Sequence, residues 1–533
     1  MKALLLVPAG LAALAGSMIL GVLVGRGVFS APAPPPQQPA DEARILTGAL
    51  VNFDYRIENP GQPLDGAGGG LAADGGGIYI SRSQAGVLQR FDIATRRFAP
   101  VRLALPDNNF AQLPPKSTFG RDYDKREIRY NDLEFVTSGG VRHLVASYTY
   151  YHPDRSCFTS RLAIHPLDPG WDQPLAANAV PRRDGWRIVH DTQPCLPFKP
   201  LRHPFSGQQA GGRIADDGHG SLYWTVGDHE FDGMDGPAGG PAYPQLAGSD
   251  YGKVLRFDTN DWSASIFTTG HRNQQGITVD ALGRVWEVEH GPMGGDELNL
   301  LRAGGNYGWP LVTLGVNYTS PENDAKQWPN NPRQGRHDGY QPPVYAWVPS
   351  QALGNVKVIK GIDPRINGDL LVAGMGAQTL FRMRIEGERV LYAEPTRVTG
   401  RIRYAEIANG EIYLLLDDGS FATMRPRPTG DIGDDAPSAD RGPALALGRC
   451  RECHGRPESP RLTSILGSAV ATQAGVVYSP QLVAAGGVWS AERLRAFLSD
   501  PQAFAPGTVM PAQSLDAAEM DAILAALKPS PAP

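Results

Sequence analysis

Between Ile45 and Met424 one short pattern keeps returning. A turn of Gly, Asp or Asn leads into a run of β-branched, aromatic or aliphatic residues. The turns at Asp74, Ser138, Asp217, Asp280, Asn367 and Asn409 precede Gly77-Ile-Tyr-Ile, Val141-Arg-His-Leu-Val, Ser221-Leu-Tyr-Trp, Arg284-Val-Trp, Asp369-Leu-Leu-Val and Glu411-Ile-Tyr-Leu-Leu. β-branched and aromatic side chains fit a pleated surface, and Gly, Asn and Asp supply the backbone conformations that reverse the chain. No long amphipathic helix interrupts the pattern. Repeated strand–turn units over this length predict a six-bladed β-propeller across 45–424. A β-sandwich with long insertions is the other all-β arrangement open to such a sequence.

After Arg441 the pattern changes. Ala- and Leu-rich stretches at Gly442–Cys450, Ser490–Leu498 and Leu515–Leu527 carry helical spacing, so 442–533 reads as a small all-α domain. The segment 425–441, rich in Pro, Asp and Gly, reads as the linker between the two domains, and the Pro-rich 31–44 as an extended leader to the first. Ahead of that, Ala3 to Gly25 is uncharged and mostly apolar between Lys2 and Arg26. It is long enough to cross a bilayer of roughly 30 Å and longer than the roughly 7–15 apolar residues of an ordinary cleaved signal. Residues 1–30 are therefore expected to be a retained inner-membrane anchor holding the chain on the periplasmic side. A signal cleaved after Ala31 or Ala33 is the alternative, and either one exports the protein.

Composition narrows the partners. The 533 residues carry a formal net charge of −5 with no long basic run, which argues against a nucleic-acid partner. The four cysteines form two groups. Cys157 and Cys195 are a pair without a motif, and in an oxidising compartment they are expected to form a disulfide, two buried thiols being the alternative. Cys450-Arg-Glu-Cys453-His454 is C-x-x-C-H. Two thiols add across the vinyl groups of haem and the adjacent His supplies an axial imidazole. A thioredoxin-type C-x-x-C needs a βαβ setting that this segment lacks, and a zinc site needs two further ligands.

Downstream, the loop Ala505-Pro-Gly-Thr-Val-Met510-Pro can present a thioether to the other face of the haem. Together with Pro460–Leu462 and Trp489 at the head of a helix, this makes 442–527 resemble class I cytochromes c. The resemblance implies covalent haem c with Met510 as sixth ligand. Met520 is the competing thioether, but it lies mid-helix with Leu524 at i+4, which suits a core residue.

Three polar clusters fall in the later repeats. Gly270-His-Arg-Asn-Gln-Gln-Gly276 sets an Arg and carboxamides beside a turn. Glu289-His-Gly-Pro-Met-Gly-Gly-Asp-Glu-Leu-Asn299 brings carboxylates and carbonyls together, an environment suited to Ca²⁺. Gly400-Arg-Ile-Arg403 puts two Arg side chains on one face of a strand, by the alternation of strand positions. With Gly304–Pro310 (GGNYGWP), these clusters resemble, in order, the soluble quinoprotein aldose dehydrogenases of the glucose/sorbosone dehydrogenase family. That family is a six-bladed propeller that binds pyrroloquinoline quinone (PQQ) and Ca²⁺ and oxidises sugars. The resemblance implies that Arg272, Asn273, Arg401 and Arg403, with Gln275, hold the quinone. It implies backbone carbonyls of Gly291 and Pro292 on Ca²⁺, and Asp228 as the acid that steers the general base.

Two positions depart from the family. Its basic His stands four residues before the Arg of a Gly-Arg pair, here Gly212-Arg213, and that position is Gln209. Its quinone-facing Lys corresponds to Gly376. A carboxamide does not titrate near neutral pH and takes no substrate proton. His203, His229 and His290 are the candidates for a substitute base. Two functions are consistent with these residues. One is an exported quinohaemoprotein dehydrogenase that passes electrons from a sugar or alcohol through PQQ to haem c, and on to an external cytochrome or membrane oxidase. The other is a catalytically silent, ligand- or partner-binding propeller attached to an electron-transfer cytochrome.

Overall fold

The computed structural model describes residues 44–113, 128–198, 207–233, 241–316 and 336–427 apart from 60, 67, 83 and 84. Within 450–528 it describes all but 451–453, 455–459, 461, 463, 464, 511, 512, 514 and 516. The chain divides into two compact units, Met1–Arg427 and Pro428–Pro533.

In the first unit the apolar runs pair into six antiparallel sheets. Each of the six turns read from sequence joins the first strand of a sheet to its second. The first strands are Leu71–Asp74, Tyr130–Ser138, Gly211–Asp216, Gln274–Val279, Leu353–Val358 and Ile402–Ala408. They lie side by side around one axis, and the fold is a six-bladed propeller. Blades are numbered 1 to 6 in the order of these inner strands. Second strands such as Ser221–Val226 and Glu411–Leu416 are buried at every position, because a neighbouring blade covers each face.

The N-terminal side of the chain closes the ring. Phe53–Ile57 pairs with the last strand of blade 6, Phe421–Pro426, with Phe53 opposite Pro426 and Ile57 opposite Ala422. Arg44–Leu46 adds outside it. The closing ladder takes up Arg425 and Pro426, the first residues of the stretch that composition reads as a tether. In blade 2 a disulfide joins Cys157 to Cys195, with Cα atoms 5.7 Å apart.

Inner strands crowd the axis, and charged groups are buried there. Lys357 of blade 5 meets Glu406 of blade 6 at 2.8 Å and lies 5.5 Å from the Tyr404 ring. Asp132 of blade 2 accepts from the backbone N–H of Ile214 at 2.9 Å and of Leu133 at 2.9 Å. Burial pushes the Asp132 carboxyl up to about 6, although Arg213 and Lys357 pull the other way. Burial likewise pushes the half-buried Glu134 up to about 7 against the pull of Lys357.

In the second unit the described helices are Pro480–Ala485, Ala491–Ser499, Pro501–Phe504 and Ala517–Ala526. The last two predicted stretches coincide with helices to within a residue or two. The first, Gly442–Cys450, lies outside the described residues except for Cys450 itself. Pro480–Ala485 and Pro501–Phe504 were not read from apolar spacing. Their signal is an N-cap followed by Pro: the Ser479 side chain accepts from Leu482 N–H and that of Asp500 from Ala503 N–H. Trp489, Phe497 and Phe504 pack together in the core with Leu494, Met520 and Leu524. Among the described residues no helix is long and apolar enough to cross a membrane. Residues 1–43, with the expected anchor, lie outside them.

Both axial carboxyls hold their proton more tightly in the fold than the unfolded values of roughly 3.9 and 4.3 allow. Their contribution to stability is full below about pH 4 and is lost as pH rises through about 6–7. The thermal midpoint of the propeller, followed by calorimetry, falls over that interval, and Glu134→Gln makes the fall shallower; an equally steep fall in the variant removes Glu134 from the account. Replacing Cys157 and Cys195 by Ser costs about 3–4 kcal/mol in the chain-entropy model for a loop of this length. Urea unfolding of the oxidised protein and the double variant measures the difference.

Candidate active site

The inner strands begin at one end of the axis, and the residues just before them form its mouth: Gly70, Arg129, Gln209, Arg272 with Asn273, Ala352 and Arg401. Contacts between blades tie these starts together. Arg213 donates to the carbonyls of Gly69 at 3.1 Å and Asn131 at 2.8 Å, and His290 bonds through Nε2 to the Leu353 carbonyl. Blades 2 to 6 each break register at this end, between Tyr130 and Asp132, Gly211 and Ile214, Gln274 and Gly276, Leu353 and Asn355, and Ile402 and Tyr404. A bulge takes a residue out of the ladder and re-aims its side chain. Asn131, Gln275 and Arg403 are such residues. The close approach also requires glycine: a Cβ on Gly354 would stand 2.4 Å from the Ile402 carbonyl oxygen, and one on Gly212 2.5 Å from Asn131 Cβ.

Gln209 stands at the centre of one wall. In the amide orientation its partners require, it donates to Asp228 Oδ1 at 2.6 Å and accepts from Arg272 Nη2 at 3.0 Å. Asp228 Oδ2 accepts from Trp309 Nε1 at 2.7 Å, and Oδ1 also accepts from Glu230 N–H at 2.9 Å. The carboxyl is fully buried. Burial, and then the nearby Asp232, hold it well above the usual carboxylate range despite Arg272. The Arg272 guanidinium lies 5.2 Å from the Trp309 ring centroid and donates through Nη1 to the carbonyls of Gly291 at 2.9 Å and His290 at 3.3 Å.

On the opposite wall Arg401 and Arg403 converge on one carboxylate. Arg401 Nε lies 3.2 Å from Asp417 Oδ2 and Arg403 Nη2 lies 2.5 Å from Oδ1. Strand alternation is not what aligns them. Arg401 precedes the strand, and the bulge turns Arg403 to meet the same partner. Burial alone raises the Asp417 carboxyl, but Arg403 and Arg401 outweigh it and hold the group below its ordinary value.

Asn273 and Gln275 are neighbours: Gln275 Nε2 donates to Asn273 Oδ1 at 2.7 Å. Gly291 and Pro292 are buried in the loop that follows Val285–Glu289. Beneath that loop lies a cluster the sequence showed only in part. Asn299 Nδ2 donates to Glu287 at 3.1 Å and Glu289 at 3.2 Å, and His271 Nδ1 bonds Glu289 at 3.1 Å. Burial and the neighbouring Glu289 hold Glu287 and Glu297 well above the usual range. Glu289, Glu297 and Asn299 fall in the quoted motif, whereas Glu287 lies outside it and joins them only through strand pairing, opposite Asn299.

Of the three candidate bases, His229 and His290 are engaged elsewhere. His229 is buried, with Nε2 bonded to Ser160 Oγ at 3.1 Å and the ring against Phe158 and Tyr251. Burial and the nearby Arg129 push it down to about 3. His290 is bonded at both ring nitrogens, to Leu353 O and Asn273 Nδ2. Burial lowers it further. His203 lies outside the described residues. At Gly376 a Cβ would meet the Gln351 carbonyl oxygen at 2.9 Å, so a Lys there requires the backbone to move.

In the second unit His454 Nδ1 bonds the Pro460 carbonyl at 2.9 Å, which fixes the ring and leaves Nε2 for another partner. Cys450 is half-buried beside it in sequence, and Cys453 lies outside the described residues. Met510 is partly buried at the edge of the core, whereas Met520 is 5% exposed inside it.

Residues 198–425 match the family model described as Glucose / Sorbosone dehydrogenase. The chain is 27% identical over 254 residues to Aldose sugar dehydrogenase YliI of Escherichia coli, covering 43% of this chain and 63% of that protein. It is 33% identical over 130 residues to Quinoprotein glucose dehydrogenase B of Acinetobacter calcoaceticus, covering 20% and 27%. Neither match reaches two thirds of the relative's length. A cytochrome c homolog of Rickettsia felis is 38% identical over 79 residues, 14% of this chain and 45% of that one. The solved soluble aldose sugar dehydrogenase from Escherichia coli shares the propeller fold, with a TM-score of 0.52 at 21% identity over 70% of this chain and all of that one. The chain thus joins a six-bladed propeller, of which residues 198–425 match the glucose/sorbosone dehydrogenase family model, to a segment similar to cytochromes c.

Proposed function

We propose that the protein is an exported quinohaemoprotein dehydrogenase that oxidises a sugar or other alcohol with PQQ and Ca²⁺ in the propeller and passes the electrons to haem c. The observation that carries the reading is the mouth of the axis, where the charges of Arg272 and Arg403 both reach His290 and Arg401 and Arg403 share Asp417 as the paired carboxylate. Arg272 Nε is buried without a partner, so the cluster has donors and positive charge to spare, which fits a polycarboxylate. When bound, the quinone supplies the two-electron acceptor for a substrate C–H.

This chain's residues divide the remaining work. Arg272, Asn273, Gln275, Arg401 and Arg403 would hold the quinone, and the carbonyls of Gly291 and Pro292 the Ca²⁺. Gln209, locked by Asp228, orients the substrate hydroxyl but takes no proton from it. Cys450 and Cys453 would hold the haem, with His454 and Met510 as axial ligands. A His/Met pair raises the potential, which suits a haem that accepts electrons from the propeller and hands them to an external cytochrome or membrane oxidase. The apolar segment 1–30 would keep both units at the periplasmic face of the inner membrane.

The second reading, a silent ligand-binding propeller beside a working cytochrome, is favoured by Gln209 at the position of the base. The two part in a direct experiment. Protein loaded with PQQ and Ca²⁺ shows bound quinone absorbance, and sugars reduce its haem slowly. General-base catalysis contributes about 10²–10⁴-fold. Gln209→His therefore raises the rate by a substantial part of that range, measured by stopped-flow haem reduction. Failure of wild type and variant alike to take up quinone leaves the binding-module reading. In the cytochrome, Met510→Ala abolishes the weak thioether-to-iron band of the oxidised protein while the haem survives acid–acetone extraction; the same loss in Met520→Ala instead reassigns the ligand.

A further inference from the structure

Arg129 directly precedes the inner strand of blade 2, as Arg401 does on blade 6, and Gln209 and Arg272 stand two residues before those of blades 3 and 4. Its one hydrogen bond from the guanidinium runs from Nε to Asn131 Oδ1 at 3.3 Å. Among the described residues no carboxylate lies within ion-pair distance of it. The acid whose charge reaches it, Asp417, is taken by Arg401 and Arg403. Its charged neighbours are instead Arg403 and Arg213, and with burial they push the Arg129 guanidinium down to about 9. A half-buried cation whose charged neighbours are cations is costly unless an anion joins it.

The position of Arg129 says which anion. Asn131, its hydrogen-bond partner, packs against Gly212, three residues from Gln209. The charge of Arg129 also reaches His229, the residue after Asp228. Arg129 therefore belongs to the wall that holds Gln209 and Asp228, where the proposed function puts the substrate hydroxyl. The quinone's carboxylates already have Arg272, Arg401 and Arg403.

We propose that Arg129 is a specificity-determining residue that binds an anionic group on the substrate, so that this propeller prefers an acidic sugar, bearing a carboxylate or a phosphate, to a neutral one. The inference rests on the dehydrogenase reading for what is oxidised, but not for what is bound. Arg129 supplies two free Nη groups in the planar fork that suits either oxyanion.

The test uses the full chain, with and without PQQ and Ca²⁺, and the probes galacturonate, glucose 6-phosphate, galactose and glucose. Calorimetry gives tighter binding of one acidic sugar than of its neutral counterpart, and Arg129→Met reduces that preference roughly 10- to 100-fold while leaving the neutral sugar unchanged. Arg129→Lys retains part of it. Galacturonate against glucose 6-phosphate tells a carboxylate from a phosphate. In the loaded protein the same variant changes the ratio of kcat/KM for acidic over neutral sugar but leaves quinone absorbance intact. Loss of quinone uptake in Arg129→Met with the sugar preference unmoved makes Arg129 a cofactor residue and overturns the proposal. Equal binding of acidic and neutral sugars by the wild type overturns it as well. A wild type that takes no quinone but binds the acidic sugar through Arg129 fails the dehydrogenase reading and keeps this one.

Discussion

Everything in the propeller follows from bringing six inner strands to one axis. Near the axis there is no room for a conventional apolar core. Blade meets blade through backbone and small side chains, and Gly354 and Gly212 admit the carbonyl of Ile402 and the side chain of Asn131. Polar groups that lose water there must find each other, which is why Lys357, Glu406, Asp132 and Arg213 form contacts that cross blades. At the mouth the same crowding breaks the ladder in five of the six inner strands, counted from their register shifts. Three of the breaks re-aim a side chain, those of Asn131, Gln275 and Arg403. The site is a by-product of how the blades are forced to meet.

Strain accompanies this arrangement. Gln209 has φ 52°, His229 φ 50° and Glu230 φ 67°, left-handed values that non-glycine residues adopt at a cost of about 1–3 kcal/mol each. All three flank Asp228. The hydrogen bonds Asp228 N–H to Arg272 O at 2.9 Å and His229 N–H to Gln209 O at 3.1 Å hold them. The backbone is thus bent to put one carboxamide and one buried acid in contact. The electrostatics agree: a neutral amide leaves Asp228 with no cation at Oδ1, and burial raises the carboxyl.

What the sequence revealed and concealed follows from the range of each interaction. The six turns are local events, written in Gly, Asn and Asp beside apolar runs, and all six proved to be the first hairpin of a blade. The short helices at Pro480 and Pro501 were equally local, but their signal is a cap followed by Pro and not an apolar stripe. Bulges carry no local mark. Ile402-Arg403-Tyr404 reads as plain alternation, and only pairing with Glu411–Leu416 shows the break. Arg129 was illegible for the same reason. A lone Arg before a strand says nothing until two other blades deliver their charges beside it. Glu287 looks like ordinary strand polarity and joins Glu289 and Glu297 in a buried cluster only when two strands align.

The ladder that closes the ring has a consequence in time. Glu58 and Thr423, bonded through their side chains, are 365 positions apart. At the roughly 5–20 residues per second of synthesis, the strand Phe53–Ile57 waits on the order of 20–70 s for its partner to exist. Until then the growing chain is an arc with two bare sheet edges, each a template for pairing with another chain. The ring cannot form gradually from its first blade onward. It closes late and in one event, and the hazard of that interval is set by the order of the blades along the chain, whatever the stability of the finished ring.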